Sequence, residues 1–356
     1  MRILMLVNWK VHFLQDDINS IQQPDKFIKG QKYWFFRYWP DQNINIDVID
    51  YSRLPLLHDL EKHLFKFYIY QAIRSISNNL KGYDLIISHG AQSAVLLAFI
   101  RSLQGKKHPP HIVIDPASFN GGRDNFLELL PIKFCVRSIK GIIYHSTIQY
   151  EYYRKHFPFL INNTKFIPFG VDTNYFAPME LPISSTILSF GEKKRDYQTL
   201  LSVWAQLNIK HIELHIVGIK TVKNLGVQFL PDNVKIFPRV PIDVLKKMIA
   251  QAMFIIIPLP YYNYSYGQMS ILQSMSMGKL VITTKTPSTV DYINDGKDAI
   301  LVNPNDIYDM KNKIMHCLEN PSFVTRIGQN ARLKAVESFS ENNMAQQILN
   351  FVKSFL

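Results

Sequence analysis

Residues 264–306 read YSYGQMSILQSMSMGKLVITTKTPSTVDYINDGKDAILVNPND. A glycine-bearing loop opens onto a helix that starts near Gly267 and stops at Gly278, because glycine ends helices at little steric cost. A buried strand over 280–285 follows, then a second short helix and a last strand over 299–303. Where a loop opens onto a helix start, backbone N–H groups converge and the helix dipole favours an anion. A phosphate site is therefore expected at Gly267, Gln268 and Met269, through their backbone rather than their side chains.

The rest of the chain repeats this rhythm. Short apolar runs rich in β-branched residues alternate with longer helical patterns, which is how parallel sheets with crossover helices read. In the first half the runs are 2–8, 44–51, 85–89, 111–115, 141–145 and 165–168. In the second they are 186–191, 213–218, 234–237, 254–259, 280–285 and 299–303. Two such sets predict an α/β protein of two doubly wound, Rossmann-like domains. Between them lies FIPFGVDTNYFAPMELPISS, where Pro168, Gly170, Pro178 and Pro182 break regular structure. The expected boundary falls near Asp172, giving a first domain over 1–171 and a second over 172–335.

The 264–306 stretch closely resembles the donor-binding segment of the family 4 glycosyltransferases. The family form has a glutamate, seven residues, a second glutamate, Ala-Met-Ala, a glycine and a buried strand. QSMSMGKLVITT stands at its second half, so Gln273 occupies the second glutamate position and Ser265 the first. The Pro168–Asp172 segment resembles the family's interdomain linker, and ILSFGEKKRDYQTLL resembles the first strand and helix of its donor domain. The resemblance implies the GT-B fold, two domains facing a cleft, with the helix over 336–356 packing back on the first. It also implies retaining, metal-independent sugar transfer from a nucleotide-sugar donor on the second domain to a glycan or lipid-linked acceptor on the first. Two other readings stay open: a nucleotide-sugar-binding subunit without turnover, since both motif acids are replaced, and a sugar-nucleotide epimerase.

In the family, an arginine and a lysine after the first strand of the donor domain reach the donor phosphates. Here Glu192 takes the arginine's usual place, and Lys194 with Arg195 are the expected phosphate cations. The alternative is a solvated basic turn. Gln273 offers an amide that both donates and accepts, suited to ribose hydroxyls, or it is simply a polar helix residue. Ser265 is a short-reach candidate for sugar contact.

In the first domain His89 ends an apolar strand, where doubly wound sheets meet ligands. It is a candidate catalytic group or a structural histidine. Asp115 ends the next strand, as a candidate base or acceptor-orienting group, or as a turn cap before Pro116. Asn120 and Arg123 follow as candidate acceptor-side residues. The segment after the first strand carries Tyr33, Trp34, Phe35, Phe36, Tyr38 and Trp39, whose rings fit sugar faces, a membrane interface or a core.

A chain of 356 residues with 47% hydrophobic and 19% charged residues is globular and long enough for two cores. Cys135 and Cys317 are far apart in sequence, which points to a reducing cytoplasm. The net charge of +12 fits a solvated basic surface or an anionic lipid surface. No nucleic-acid-binding signature accompanies it, so no nucleic-acid partner is expected. Lys106, Lys107, Lys133, Arg137, Lys140, Arg154 and Lys155 give the first domain repeated cations beside aromatics, compatible with peripheral docking on the inner face of the plasma membrane. Asp16–Asp17 is an acidic pair without a metal-binding context, so neither metal nor cofactor is expected.

Overall fold

The computed structural model describes residues 1–18, 20–51, 61, 68–104, 108–119, 121–122, 124–227 and 229–356. The chain divides into two compact units. One comprises Met1–Asp17, Gln23–Pro168 and Met344–Leu356, the other Ile18–Gln22 and Phe169–Asn343.

The first unit is built on strands β1 (Arg2–Leu6), β4 (Asn45–Ile49), β5 (Leu85–His89), β6 (His111–Ile114), β7 (Gly141–Tyr144) and β8 (Thr164–Phe166), with a two-stranded sheet of β2 (His12–Leu14) and β3 (Lys26–Ile28) beside them. The main sheet runs β4-β1-β5-β6-β7-β8, every neighbouring pair parallel. Runs such as LIISH and HIVI are buried on both faces, as a sheet covered on each side by helices requires. From β1 the chain goes to β4 on one side and later to β5 on the other. The carboxyl ends of β1 and β5 therefore flank the switch point where ligands enter such sheets.

The aromatic segment proves to be core. Tyr33, Trp34, Phe35, Phe36 and Trp39 are all buried around the 3-10 turn Trp34–Tyr38. Trp39 Nε1 donates to the Ala345 carbonyl (3.0 Å), and Gln346 Nε2 donates to the Tyr38 carbonyl (2.7 Å). Burying five such rings is a hydrophobic load that stabilises this unit strongly, while Tyr38 stays half-buried.

The second unit is built on β9 (Thr186–Phe190), β10 (Glu213–Val217), β11 (Val234–Phe237), β12 (Ile255–Ile257), β13 (Val281–Thr284) and β14 (Ile300–Val302). Their order, β11-β10-β9-β12-β13-β14, places the switch point between β9 and β12. Trp204, Phe254, Ile256, Ile282 and Ile314 are among the residues of its core. Several strands are shorter than their apolar runs. The expected 254–259 strand ends at Ile257 because Pro258 and Pro260 have no N–H for the ladder, and the expected 165–168 strand stops at Phe166 before Pro168.

Candidate active site

In the second unit two loops meet at the switch point. The loop after β9 carries Gly191 to Asp196. It is tied to the end of β12 by Asp196 N–H donating to the Pro258 carbonyl (3.0 Å). Asp196 then caps the helix Tyr197–Leu207, its Oδ1 accepting from Thr199 N–H at 3.1 Å. The loop after β12 ends at Gly267, the N-cap of the helix Gln268–Ser276, with φ of +82°. A side chain would be strained at that φ, and a Cβ there would come 2.9 Å from both Leu259 Cδ atoms. No side chain caps this helix. Its first intrahelical bond is Ile271 N–H to the Gly267 carbonyl (3.1 Å), so the amides of Gln268, Met269 and Ser270 precede the ladder and point outward as an anion cradle.

The expected phosphate cations differ in role. Arg195 Nε donates to the Phe190 carbonyl (3.1 Å), and Nη1 to the carbonyls of Lys193 (3.2 Å) and Lys194 (3.1 Å). Nη2 donates to Ser270 Oγ (2.8 Å), in the first turn of the helix. Its guanidinium thus knits the loop to the helix start, and burial lowers its pKa despite the nearby Tyr197 and Tyr266. Lys194 has φ of +55°, and its Nζ stands 4.4 Å from the Tyr264 ring centroid, 5.8 Å from Tyr262 and 5.9 Å from Tyr266. Tyr262 and Tyr264 stack at 5.1 Å and Tyr266 closes on them edge-on. Burial lowers the Lys194 pKa, while the ring faces favour a cation. The three tyrosines escaped the sequence reading, although YYNYSYG announces them.

Gln268 is buried and its amide meets Ser288 Oγ, whereas Met269 is exposed. Ser265 is buried between Tyr264 and Tyr266 in sequence, and both of those are buried as well. Gln273 is buried one turn further along, its Nε2 donating to Gln22 Oε1 (3.1 Å) from the Ile18–Gln22 segment of the same unit.

The first unit holds a second cluster. His89 ends β5, Asp115 follows β6 and His145 follows β7, three neighbouring strands. The loop after β1 closes on this edge. The rings of Trp9 and His89 meet at 4.7 Å, and a Cβ on Gly90 (φ +82°) would strike Asn8 Nδ2 at 2.7 Å. Burial, then the neighbouring His145, lowers the His89 pKa to about 3. Its Nδ1 has no hydrogen-bond partner among the described residues. At neutral pH His89 is therefore an uncharged donor and acceptor, not a proton store. His145 is buried too, its pKa lowered to about 4 although Nδ1 lies 2.7 Å from the Ile167 carbonyl.

Asp115 is 1% exposed. Burial raises its pKa to about 6, against the hydrogen bonds from Tyr153 and the Ala117 backbone. The Tyr153 hydroxyl donates to Oδ2 at 2.5 Å, and Gln149 Nε2 donates to the Asp115 carbonyl at 2.9 Å. A carboxyl titrating near 6 is poised for proton transfer. His145 and Tyr153 were missed in the sequence. The signal for His145 was there, since GIIYH ends on a titratable residue as LIISH and HIVID do. Asn120 and Arg123, the expected acceptor-side residues, lie outside the described residues. Among those described, no group of three or more His, Cys, Asp or Glu is arranged to hold a metal ion.

Residues 184–320 match the family described as glycosyl transferases group 1. Over that stretch the chain is similar to the group 1 glycosyltransferases. A curated relative, an MMP alpha-(1->4)-mannosyltransferase of Mycolicibacterium hassiacum, is 26% identical over 194 residues, which is 51% of this chain and 46% of that protein. Two solved structures share the fold. Sucrose-phosphate synthase of Thermosynechococcus elongatus superposes with a TM-score of 0.72 at 16% identity, covering 99% of each chain. Anabaena HepE, in complex with UDP and glucose, gives 0.69 at 18% identity over 99% of this chain and 100% of its own. The chain thus has the GT-B architecture, two parallel six-stranded Rossmann-like sheets followed by C-terminal helices. No described helix is long and apolar enough to cross a membrane.

Proposed function

We propose that this glycosyltransferase moves a hexosyl group from a nucleoside-diphosphate sugar to a hydroxyl of a glycan or lipid-linked acceptor, with retention and without a metal ion. The observation that carries the reading is the uncapped helix start at Gly267, set at the β9/β12 switch point beside Lys194. The amides of Gln268, Met269 and Ser270 accept the diphosphate, and Lys194 adds a cation that stabilises the charge growing on the leaving group. Arg195 acts through Ser270 and the loop carbonyls, holding the cradle in shape, with part of its guanidinium left for phosphate. In this reading Gln273 holds the ribose and Ser265 the sugar, contributing neutral hydrogen bonds in place of carboxylates. Support comes from HepE, a neighbour of the same fold whose solved complexes contain UDP, glucose and UDP-glucose, and from the mannosyltransferase name of the curated relative.

On the first unit His89 presents a neutral imidazole, and Asp115 with Tyr153 forms the proton-handling pair that orients the acceptor hydroxyl. Asn120 and Arg123 complete the acceptor side in this reading. The expected product lies in cell-surface polysaccharide or glycolipid synthesis, on the cytoplasmic side.

Calorimetric titration with UDP, GDP, ADP and their common sugars, with and without magnesium, tests the donor site. Metal-independent binding of one nucleotide sugar, followed by its slow hydrolysis, is the expected result. Absence of binding to every member would overturn the assignment at Gly267. The neutral side chains of Ser265 and Gln273 favour one second reading, a nucleotide-sugar-binding subunit without turnover. Tight binding without hydrolysis or transfer would establish it.

A further inference from the structure

The helix Phe126–Cys135 in the first unit is apolar on the wrong side. Its sequence is FLELLPIKFC, and of its ten residues only Leu129 is buried. Phe126, Leu127, Leu130 and Phe134 are 63%, 77%, 52% and 42% exposed. At a rotation of about 100° per residue they form one stripe, turned well away from the line through Leu129 and Val136 that meets the core. The stripe continues onto the neighbouring helix Ala91–Gln104. Phe99 meets Phe134 at 5.8 Å between ring centroids, and Leu103 is exposed as well. Scattered exposed leucines need no explanation, but a contiguous face of large apolar side chains does.

Cations border this face. Lys133 Nζ lies 6.0 Å from the Phe126 ring centroid and the Arg137 guanidinium 5.2 Å from that of Phe134. Arg137 and Lys140 are exposed just past the helix. The nearest acids do not oppose them. Glu128 projects from the opposite side of the helix, and Asp124 is held by Lys155 (2.6 Å) and His156 (2.7 Å). Aromatic and aliphatic side chains ringed by lysine and arginine match the boundary between acyl chains and anionic headgroups.

We infer that the Phe126–Cys135 helix docks this protein on an anionic lipid surface. Phe126, Leu127, Leu130 and Phe134 enter the acyl boundary, and Lys133, Arg137 and Lys140 pair with headgroup phosphates. The helix lies in the plane of the membrane, since ten residues reach only about 15 Å, half of a bilayer core. The surface belongs wholly to the first unit and is independent of the donor site in the second.

The test is co-sedimentation of the full chain with phosphatidylcholine vesicles, with and without phosphatidylglycerol, at low and high salt. The expected result is binding that requires phosphatidylglycerol and weakens with salt. Leu127→Glu with Leu130→Glu should abolish it. Lys133→Gln, Arg137→Gln and Lys140→Gln together should weaken it roughly a hundredfold, about fivefold per cation. The unmodified chain alone decides the salt and lipid dependence, so a misfolded variant does not spoil the test. Indifference to phosphatidylglycerol, or undiminished binding by the Leu127→Glu, Leu130→Glu chain, would overturn the inference. So would a dimer in light scattering that the same double substitution disperses, because the stripe would then cover a second copy.

Discussion

Replacing Asp115 by asparagine should stabilise the protein, and by an amount that grows with pH. Asp115 titrates at about 6 in the fold, against 3.8 in a model chain, because burial opposes its charge. Between those values the folded chain holds a proton that the unfolded chain has released, so the contribution of this group to stability falls as pH rises. At 1.36 kcal/mol per unit the loss totals about 3 kcal/mol above pH 6, and about 2 kcal/mol of it falls between pH 4.5 and pH 8. Asparagine keeps the shape and an oxygen to accept from the Tyr153 hydroxyl, but has no charge to desolvate. His89 and His145 slope the other way. Their folded pKa values of about 3 and about 4 lie below that of an unfolded histidine, so their contributions are lost as pH falls from 6.5. Both histidines are present in both proteins and cancel in the difference. Urea unfolding of wild type and Asp115→Asn from pH 4.5 to 8 measures it. A difference that stays constant with pH, or a variant that loses stability at pH 8 relative to pH 4.5, would refute a buried, costly carboxylate. Transfer activity of the same variant should fall at every pH if Asp115 handles the acceptor proton.

Other substitutions probe the two clusters separately. Gly267→Ala places a side chain at φ +82° against Leu259, and should cost about 1–2 kcal/mol and weaken nucleotide binding. Unchanged melting and UDP affinity would show that the turn does not hold the cradle. Lys194→Ala should leave stability within about 0.5 kcal/mol yet weaken UDP binding about tenfold, since it removes a charged contact. Arg195→Lys should instead cost about 2 kcal/mol of stability, with any loss of UDP binding following from the loosened cradle, because an ammonium cannot reach the Phe190, Lys193 and Lys194 carbonyls and Ser270 together. Equal effects of the two on binding and stability would erase the distinction between ligand and brace. Tyr153→Phe removes a hydrogen bond that favours the charged Asp115, so its titration should move above about 6. Carboxyl chemical shifts against pH read this directly, and a midpoint that stayed put would rule Tyr153 out as its partner.

The two sheets were legible because parallel strands buried on both faces write themselves as unbroken aliphatic runs, such as RILML and LIISH. Strand ends were read too long wherever a proline stood inside an apolar run, since hydropathy does not register a missing N–H. The helix start at Gly267 was legible for a local reason: one glycine opening one helix. The roles of Lys194 and Arg195 were not. What distinguishes them is which one faces Ser270 and which one faces the tyrosines, and those partners sit some seventy residues downstream. His145 joins His89 and Asp115 only through the order of the sheet, which a reading of each strand end by itself does not combine. The apolar stripe of the Phe126–Cys135 helix hid for the opposite reason. Periodicity reveals which residues share a face, and only packing reveals which way that face turns.

The last residues of the chain carry a consequence for how the protein is made. The Trp39 indole finds its acceptor on Ala345, 306 positions later, and Gly141 is covered by Phe351 and Phe355. At about 5–20 residues per second, roughly 15–60 s of translation separate the emergence of Trp39 from that of its partner. All of the second unit but its Ile18–Gln22 segment is synthesised in the interval. Although the first unit holds the amino terminus, it is the second that can complete its core first. Until then the aromatic cluster around Trp39 is a waiting hydrophobic surface, and a ribosome stalled anywhere short of Met344 would hold it open to chaperones and to aggregation.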